Sequence, residues 1–239
     1  RDKLVTGVQT CALPIYGRLD KFTAACGTVI YRGDLFARDC YGNAFVCEPA
    51  ANLIRRSILT EQNGIITAEN AYSKGEFLTS TDERFRPVNL YTGPEGALYV
   101  VDMYHGVLQH RIYLTPYLRQ QIADRGLERP IHLGRIYRIM PRTGSVKAPP
   151  NLAAANTVAL VQALAHHNGW VRDTAQRLIV ERQDTNAIPL LKGIRPDVAR
   201  LHALWTLEGL GDIDRAYLKD PNPYIRAAAI RITGRGDPG

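Results

Sequence analysis

The stretch PVNLYTGPEGALYVVDMY, residues 87–104, decides the fold of the first part of this chain. Its turn residues GPEG, at 93–96, separate two runs that are rich in β-branched and aromatic side chains, residues 88–90 and 97–102. Glycine and proline between two such runs favour a tight turn, so the stretch predicts a β-hairpin.

The same alternation of strand-like runs and turn residues extends over residues 27–104, as GTVIYRG, GNAFVCEP, NLIRRSIL, GIITAENA, EFLTST and ALYVVDMY. It is typical of antiparallel sheet, and its spacing fits a sandwich, a barrel or propeller blades without choosing among them. After it, Thr115 and Pro116 predict the start of a helix that Gly126 ends. GRIYRIM, residues 134–140, predicts one more strand.

From Leu152 onward the hydrophobic period is helical. An arginine is followed three residues later by an alanine at three places, 28 and 26 residues apart: Arg172 and Ala175, Arg200 and Ala203, Arg226 and Ala229. This internal repeat predicts stacked helix pairs of the HEAT type, with an unrelated helical bundle as the alternative. The segment PRTGSVKAPP, residues 141–150, predicts a linker before these repeats.

Composition and charge exclude several classes of function. The 239 residues are 45% hydrophobic and 22% charged, as expected for globular domains. The net charge of +7 is spread through the chain and no basic run is interleaved with aromatic residues, so we expect no nucleic-acid binding. We also expect no membrane span, because no window approaches 18 uninterrupted apolar residues.

The first 15 residues are predicted to be an artefact. Residues 5–15, VTGVQTCALPI, are identified as one reading frame of the constant part of a common sequencing-library adapter. We therefore leave residues 1–15 out of the fold argument, and the lack of a signal peptide then says nothing about the compartment.

The remaining cysteines are Cys26, Cys40 and Cys47, and none has CxxC or CxxCH spacing. Zinc and covalent haem are therefore disfavoured. Cys26 and Cys47 each lie in a strand-like run, so they could face each other across neighbouring strands and form a disulfide. Two buried free thiols are the equally supported alternative.

Two long runs carry a family resemblance: YRGDLFARDCYGNAFVCEPAANLIRRSIL and RFRPVNLYTGPEGALYVVDMYHGVLQHRIYLTPYLRQQIADRGLERPIHLGRIYRI. They resemble the end of the propeller in bacterial membrane-bound dehydrogenases related to sorbosone and soluble glucose dehydrogenases. The resemblance covers about residues 24–140 and implies the last two or three blades of a six-bladed β-propeller. Members of that family often continue into HEAT-like repeats and a cytochrome c module, but no CxxCH haem motif occurs in this sequence.

We expect a β-sheet region followed by an α-helical region. Residues 16–140 would form the C-terminal part of the propeller, 141–150 the linker and 151–239 an α-solenoid of HEAT-like helical repeats. The blades supplied by this sequence would leave an incomplete funnel and an unpaired strand edge, so we expect no turnover from this chain alone.

The resemblance further implies a sugar or alcohol dehydrogenase with pyrroloquinoline quinone and calcium as cofactors. The quinone would accept a hydride and pass the electrons to a cytochrome c, in a periplasmic or membrane-associated protein. A non-catalytic scaffold, in which the propeller and repeats bind carbohydrate or protein, is the alternative. Nucleic-acid binding by the repeats ranks third.

The catalytic candidates lie at and after the end of the predicted strand at residues 97–102. Asp102 would lie near the funnel and could ligate a hard cation or orient a base, and its alternative role is to cap local backbone N–H groups. His110 matches the GxxQH pattern of the family, and its alternative role is that of a hydrogen-bonding tether.

Arg86 and Tyr104 are the cofactor-binding candidates. The guanidinium of Arg86 would suit a quinone carboxylate or a substrate oxygen, or else a salt bridge to Asp82 or Glu83. Tyr104 could equally be a packing aromatic with a solvated hydroxyl. Glu48 and Asn52, in CEPAANL, could also face the funnel.

Overall fold

The computed structural model describes residue 22 and residues 24–143, 145–212 and 214–234. The predicted artefact at residues 1–15 lies outside the described part. The protein is a mixed β and α protein with antiparallel sheets. Its described residues divide into two compact units, one formed by residues 24–93 and 97–143 and the other mainly by residues 145–234. The boundary falls within the predicted linker.

The first unit begins with an antiparallel meander, and each strand follows one of the β-rich runs of the sequence. Its strands are β1 (Cys26–Ile30), β2 (Ala44–Glu48), β3 (Leu53–Gln62) and β4 (Ile65–Asn70), with the short β5 (Leu78–Thr79) also pairing with β3. Asn63 and Gly64 connect β3 to β4 with φ values of 52° and 79°. Asparagine and glycine tolerate this left-handed backbone, which two-residue hairpin turns require.

A second antiparallel sheet contains β6 (Pro87–Thr92), β7 (Leu98–Asp102) and β8 (Arg135–Ile139). Thr92 pairs with Leu98 across the turn, which confirms the predicted hairpin. The two sheets share one hydrophobic core, whose buried members are Tyr31, Cys40, Phe45, Cys47, Ile54, Phe85, Leu90, Leu98 and Val100.

The segment between β7 and β8 carries the predicted helix, α1 (Pro116–Asp124). The hydroxyl of Thr115 accepts a hydrogen bond from the N–H of Leu118 at 3.2 Å, so it caps the first turn as expected. Gly126 follows the helix with a φ of 59°. The segment has a small core of its own, made of Leu114, Leu118, Ile122 and Leu127.

The first strands of the two sheets approach each other most closely at Gly27. A Cβ atom at this position would lie 2.2 Å from the carbonyl oxygen of Val88 and 2.5 Å from the Cα atom of Asn89. Real Cβ atoms do not come this close to backbone, so the contact between β1 and β6 requires a residue without a side chain.

The second unit is helical, with α2 (Thr157–Ala163), α3 (Gly169–Glu181), α4 (Ile188–Lys192), α5 (Asp197–Gly209) and α6 (Pro223–Thr233). Helix α3 packs on α5, and α5 packs on α6. The alanines of the predicted repeat, Ala175, Ala203 and Ala229, are all buried. Small residues at these positions let neighbouring helices approach closely.

Two of the repeated arginines make the same contacts. The Nη1 of Arg172 donates to the carbonyls of His166 and His167, and the Nη1 of Arg226 donates to those of Asp220 and Pro221. In both cases the carbonyls lie six and five residues before the arginine, so each guanidinium holds the loop that precedes its own helix.

Arg200, at the middle repeat, departs from that pattern. It pairs instead with two carboxylates, those of Asp197 and Asp220. Within the described residues, no helix is both long and apolar enough to cross a membrane.

The contact at Gly27 predicts a large effect of adding one methyl group. Gly27→Ala should lower the free energy of unfolding by about 2–3 kcal/mol, because overpacking against backbone forces the two strands apart. Urea denaturation followed by circular dichroism measures the change. Gly75→Ala is the control, because no atom lies within 4 Å of a Cβ atom at that position. Equal unfolding midpoints for the two variants would contradict this account of the strand contact.

Candidate functional site

The candidate site lies at one edge of the second sheet. Because neighbouring strands are antiparallel, the start of β6, the end of β7 and the start of β8 meet there. Asp102 is paired with Pro87 on one side and with Arg135 on the other. The residues flanking these positions, Arg86 and Tyr104, are thereby brought to the same place.

Asp102 uses one carboxylate oxygen to hold the backbone. Its Oδ1 accepts hydrogen bonds from the N–H groups of Arg86 at 2.7 Å and Tyr104 at 2.8 Å. This confirms the local capping role that the sequence left open. The other oxygen, Oδ2, is buried and has no hydrogen-bond partner among the described residues. The Nε atom of Arg135 lies 3.8 Å from it.

Arg135 stands over the ring of Tyr104. Its guanidinium carbon lies 3.4 Å from the ring centroid, and its Nη1 donates to the hydroxyl of Tyr137 at 3.3 Å. The side chain of Arg135 is 39% exposed, whereas that of Asp102 is fully buried. Tyr104 has a φ of 46°, so this tyrosine holds a left-handed backbone conformation that costs energy for a residue with a Cβ atom.

Sequence reasoning missed Arg135. The residue begins β8, and 32 positions of irregular chain and helix separate it from its partner Asp102. No local pattern links residues across an insertion of that length. The one available signal was the predicted strand GRIYRIM, which would have to pair with the hairpin for the arginine to reach the aspartate.

Arg86 is a tether between segments of the backbone. Its Nη1 donates to the carbonyl of Pro49 at 2.6 Å, its Nε to that of His105 at 3.1 Å and its Nη2 to that of Gly106 at 3.1 Å. Only 3% of the residue is exposed. Each of the three nitrogens therefore has a carbonyl partner inside the fold.

The salt bridge that was the alternative role of Arg86 is absent from the described residues. Glu83 pairs with Arg125 instead, and Asp82 accepts a hydrogen bond from the N–H of Arg84. Burial lowers the pKa of Arg86 to about 10, so the group stays charged at neutral pH. Its positive charge is held by neutral carbonyls.

Glu48 and Asn52 also hold the chain together. Glu48 is fully buried, and its two oxygens accept from the N–H of Ala24 at 3.1 Å and 3.2 Å. Asn52 donates to the carbonyl of Phe85 at 2.6 Å and has a left-handed φ of 55°. Both residues therefore lie inside the fold, where Glu48 fixes the segment that precedes β1 and Asn52 fixes the segment that precedes β6.

The structure does not bring His110 into contact with Asp102. His110 is exposed at the start of a short 3-10 turn, where its carbonyl accepts from the N–H of Tyr113. No side-chain hydrogen bond of His110 occurs in the described chain. The neighbouring His105 is the tethered histidine, because its Nδ1 lies 2.6 Å from the carbonyl of Val107.

The described residues do not fit the cofactors that the resemblance implies. They contain no group of three or more His, Cys, Asp or Glu side chains able to hold a metal. Asp102 offers one oxygen beside an arginine, and a cation there would be repelled by that guanidinium. The guanidinium of Arg86 is buried, and three of its five N–H groups already donate to backbone carbonyls, so it is not available to a quinone carboxylate from solvent. Calcium and quinone binding stay predictions of the resemblance, and these residues do not supply a site for either.

Cys26 and Cys47 are paired positions on β1 and β2, so they do face each other across neighbouring strands. Both are free thiols in the structure, as is Cys40. Burial raises the pKa of Cys47 to about 12, and burial followed by the charge of Glu48 raises that of Cys26. The disulfide stays a prediction, and free buried thiols are the form that the structure shows.

Comparison with protein families places the chain in an uncharacterised group. Residues 3–143 match the family model described as a domain of unknown function, DUF7133. The match covers more than half of the sequence, and the chain belongs to this family. It spans the candidate site and ends before the helical unit. No curated protein and no solved structure matches the chain.

The contacts of Arg86 predict that lysine cannot replace it. Arg86→Lys should lower the free energy of unfolding by about 2–4 kcal/mol, because an ammonium cannot reach all three carbonyls and buried acceptors are left unpaired. Urea denaturation measures the loss. Arg38→Lys, at an exposed arginine, is the matched control and should change stability by less than about 0.5 kcal/mol. Equal effects would show that Arg86 is not a structural tether.

The thiols predict slow alkylation in the folded protein. In a Cys11→Ser background, iodoacetamide at pH 8 should modify Cys47 only after urea is added, because burial and the raised pKa suppress the thiolate. Mass spectrometry of the peptides measures this. A peptide pair linked through Cys26 and Cys47, lighter by two hydrogens, would instead establish the disulfide. Rapid alkylation of Cys47 in the folded protein would contradict both the disulfide and the buried free thiol.

Proposed function

We propose that the first unit belongs to a sugar- or alcohol-oxidising β-propeller protein and contributes its substrate-binding group. The group consists of Asp102, Arg135 and Tyr104. The observation that carries the proposal is the buried Oδ2 of Asp102, which has no hydrogen-bond partner in the described chain and faces a guanidinium stacked on an aromatic ring. A buried carboxylate oxygen without a partner costs free energy, and such strain concentrates at functional sites.

The arrangement of the two sheets supports the propeller part of the proposal. Each sheet is an antiparallel meander, and their first strands, β1 and β6, touch at Gly27. Neighbouring propeller blades are four-stranded meanders whose innermost strands lie side by side. In such an assembly the edge with Asp102 would carry the loops that surround the central funnel.

The contacts of the second unit support HEAT-like repeats. Arg172 and Arg226 hold equivalent loops, and the side chains of Asn168 and Asn222 each cap the helix that follows, by accepting from an N–H two residues ahead. Equivalent residues with equivalent contacts are what a structural repeat requires.

The site group has the chemistry that polyols need. A hydroxyl can donate to Oδ2 of Asp102 and accept from Arg135, while the ring of Tyr104 offers an apolar surface for the C–H groups of a sugar. The Oδ2 atom is reached when the guanidinium of Arg135, which is 39% exposed, moves aside. In an oxidation, the same carboxylate would orient the hydroxyl and accept its proton.

The remaining parts of this proposal rest on the family resemblance alone. These are pyrroloquinoline quinone with calcium, electron transfer to a cytochrome c, and a periplasmic or membrane-associated location. The quinone would supply the hydride acceptor when bound. The described residues contribute substrate binding, and we derive no catalytic step through the cofactor from them.

The second candidate function is non-catalytic binding of carbohydrate. Arg86 is buried and donates to three backbone carbonyls, and His110 is not in contact with Asp102, so the described residues lack a complete acid–base pair. A protein with this site could hold a sugar without oxidising it. The two candidates share the ligand and differ in the presence of a quinone.

Asp102→Asn tests the proposed site. Asparagine can still accept the N–H groups of Arg86 and Tyr104 through its oxygen, but it places a donor where Oδ2 stood. Saturation-transfer NMR and calorimetry with aldoses, ketoses and polyols should show binding to the unaltered protein. Binding to the variant should be about tenfold weaker or worse, from the loss of a charged hydrogen bond.

The control is Asp34→Asn, at an exposed aspartate, which should bind as the unaltered protein does. Reduction of a dye in the presence of added quinone, calcium and sugar would favour the dehydrogenase. Sugar binding without quinone binding would favour the non-catalytic candidate. If no sugar or alcohol binds in a manner that depends on Asp102, both are wrong.

A further inference from the structure

We propose that Arg135 makes the site selective for acidic sugars, meaning sugar derivatives in which a carboxylate lies next to a hydroxyl, as in aldonic and uronic acids. The inference rests on the proposed function and adds the class of ligand. In this proposal, Asp102 binds the hydroxyl of the ligand and Arg135 binds its carboxylate.

The local charges favour an anion. Two buried or half-exposed guanidinium groups, Arg86 and Arg135, lie around one carboxylate, Asp102. The side chain of Arg86 contacts only neutral carbonyls, so its charge is not cancelled by an acid in contact with it. Asp102 is likewise the one acid paired with Arg135 among the described residues.

The acidic residues nearest in sequence to Arg86 are engaged elsewhere. Glu83 is paired with Arg125, and Asp82 accepts from the N–H of Arg84. Neither forms an ion pair with a cation of the site in the described chain. The charges of Glu83, Asp102 and Asp82 act on Arg86 without an ion pair to it. Arg135 is then the partly exposed cation that a ligand carboxylate could contact.

The guanidinium of Arg135 is oriented for a carboxylate. One of its faces is covered by the ring of Tyr104, so its hydrogen-bonding edge is what remains for a ligand. Nη1 reaches the hydroxyl of Tyr137 with a long bond of 3.3 Å, and 39% of the Arg135 side chain is exposed. A planar, stacked guanidinium with an open edge can form the two parallel hydrogen bonds that carboxylates prefer.

The short distance between Arg135 and Asp102 limits the class of ligand that can contact both. Arg135 and Asp102 are direct neighbours, with Nε of Arg135 3.8 Å from Oδ2 of Asp102. Even after the guanidinium moves aside, a ligand that touches both must carry its carboxylate and its hydroxyl close together. Hydroxy acids meet this condition, because the two groups sit on adjacent carbons in an aldonic acid. A neutral sugar would contact both residues through hydroxyls and would lack the charged pairing with Arg135.

Binding of four ligands to the full chain tests the inference: gluconate, glucuronate, glucose and acetate, each titrated calorimetrically at low salt. We expect the two sugar acids to bind about tenfold or more tightly than glucose, the effect of one charged hydrogen bond. The preference should shrink as salt is added. Acetate, which lacks a hydroxyl, should bind weakly.

Variants of Arg135 assign the effect to this residue. Arg135→Gln should weaken the binding of gluconate about tenfold more than that of glucose and so abolish the preference for sugar acids. Arg135→Lys should restore part of the preference by keeping the charge. Arg142→Gln removes an exposed arginine of the same unit and should behave as the unaltered protein. Far-ultraviolet circular dichroism and urea midpoints confirm that each variant is folded.

The outcomes separate this inference from the proposed function. If glucose binds as tightly as gluconate and binding still depends on Asp102, the acid preference is wrong and the proposed function stands. If acetate binds as tightly as gluconate, the site recognises any carboxylate and the inference is wrong. If no ligand binds in a way that Asp102→Asn weakens, the proposed function itself fails.

Discussion

The first unit depends on a buried carboxylate that is shared between two backbone N–H groups. Asp102 joins the start of β6 to the chain that leaves β7, and Arg86 extends the connection by holding three carbonyls from two other segments. A buried donor or acceptor without a partner costs more than a typical hydrogen bond contributes, so these residues constrain one another. Together they fix the edge of the sheet to which Tyr104 and Arg135 belong. The same aspartate that completes the fold also leaves one oxygen for chemistry.

The sequence allowed the local elements of the fold to be predicted, because each depends on residues close together in the chain. The hairpin at 87–104 follows from turn residues between two strand-like runs, and α1 follows from Thr115, Pro116 and Gly126. The capping role of Asp102 was also foreseen, since a short polar side chain at a strand end can reach its own backbone.

The site itself could be predicted only in part, because its contacts join residues far apart in the sequence. Arg135 pairs with Asp102 across a long insertion, and nothing in either flank indicates the register. Arg86 was expected to bind a ligand, yet the carbonyls that occupy it belong to loops whose positions follow from tertiary packing. His110 was a catalytic candidate because it matches a motif, but a motif fixes the order of residues in the chain and leaves the side-chain direction open.

The left-handed backbone of Tyr104 affects which residues evolution would favour at this edge of the sheet. Glycine would adopt a φ of 46° without strain, so a glycine there would make the polypeptide more robust. It would also remove the ring on which the cation rests. Selection for a more stable protein would favour glycine at position 104, whereas selection for ligand binding would favour an aromatic residue. An aromatic residue that is retained there would therefore indicate that the position contacts a ligand.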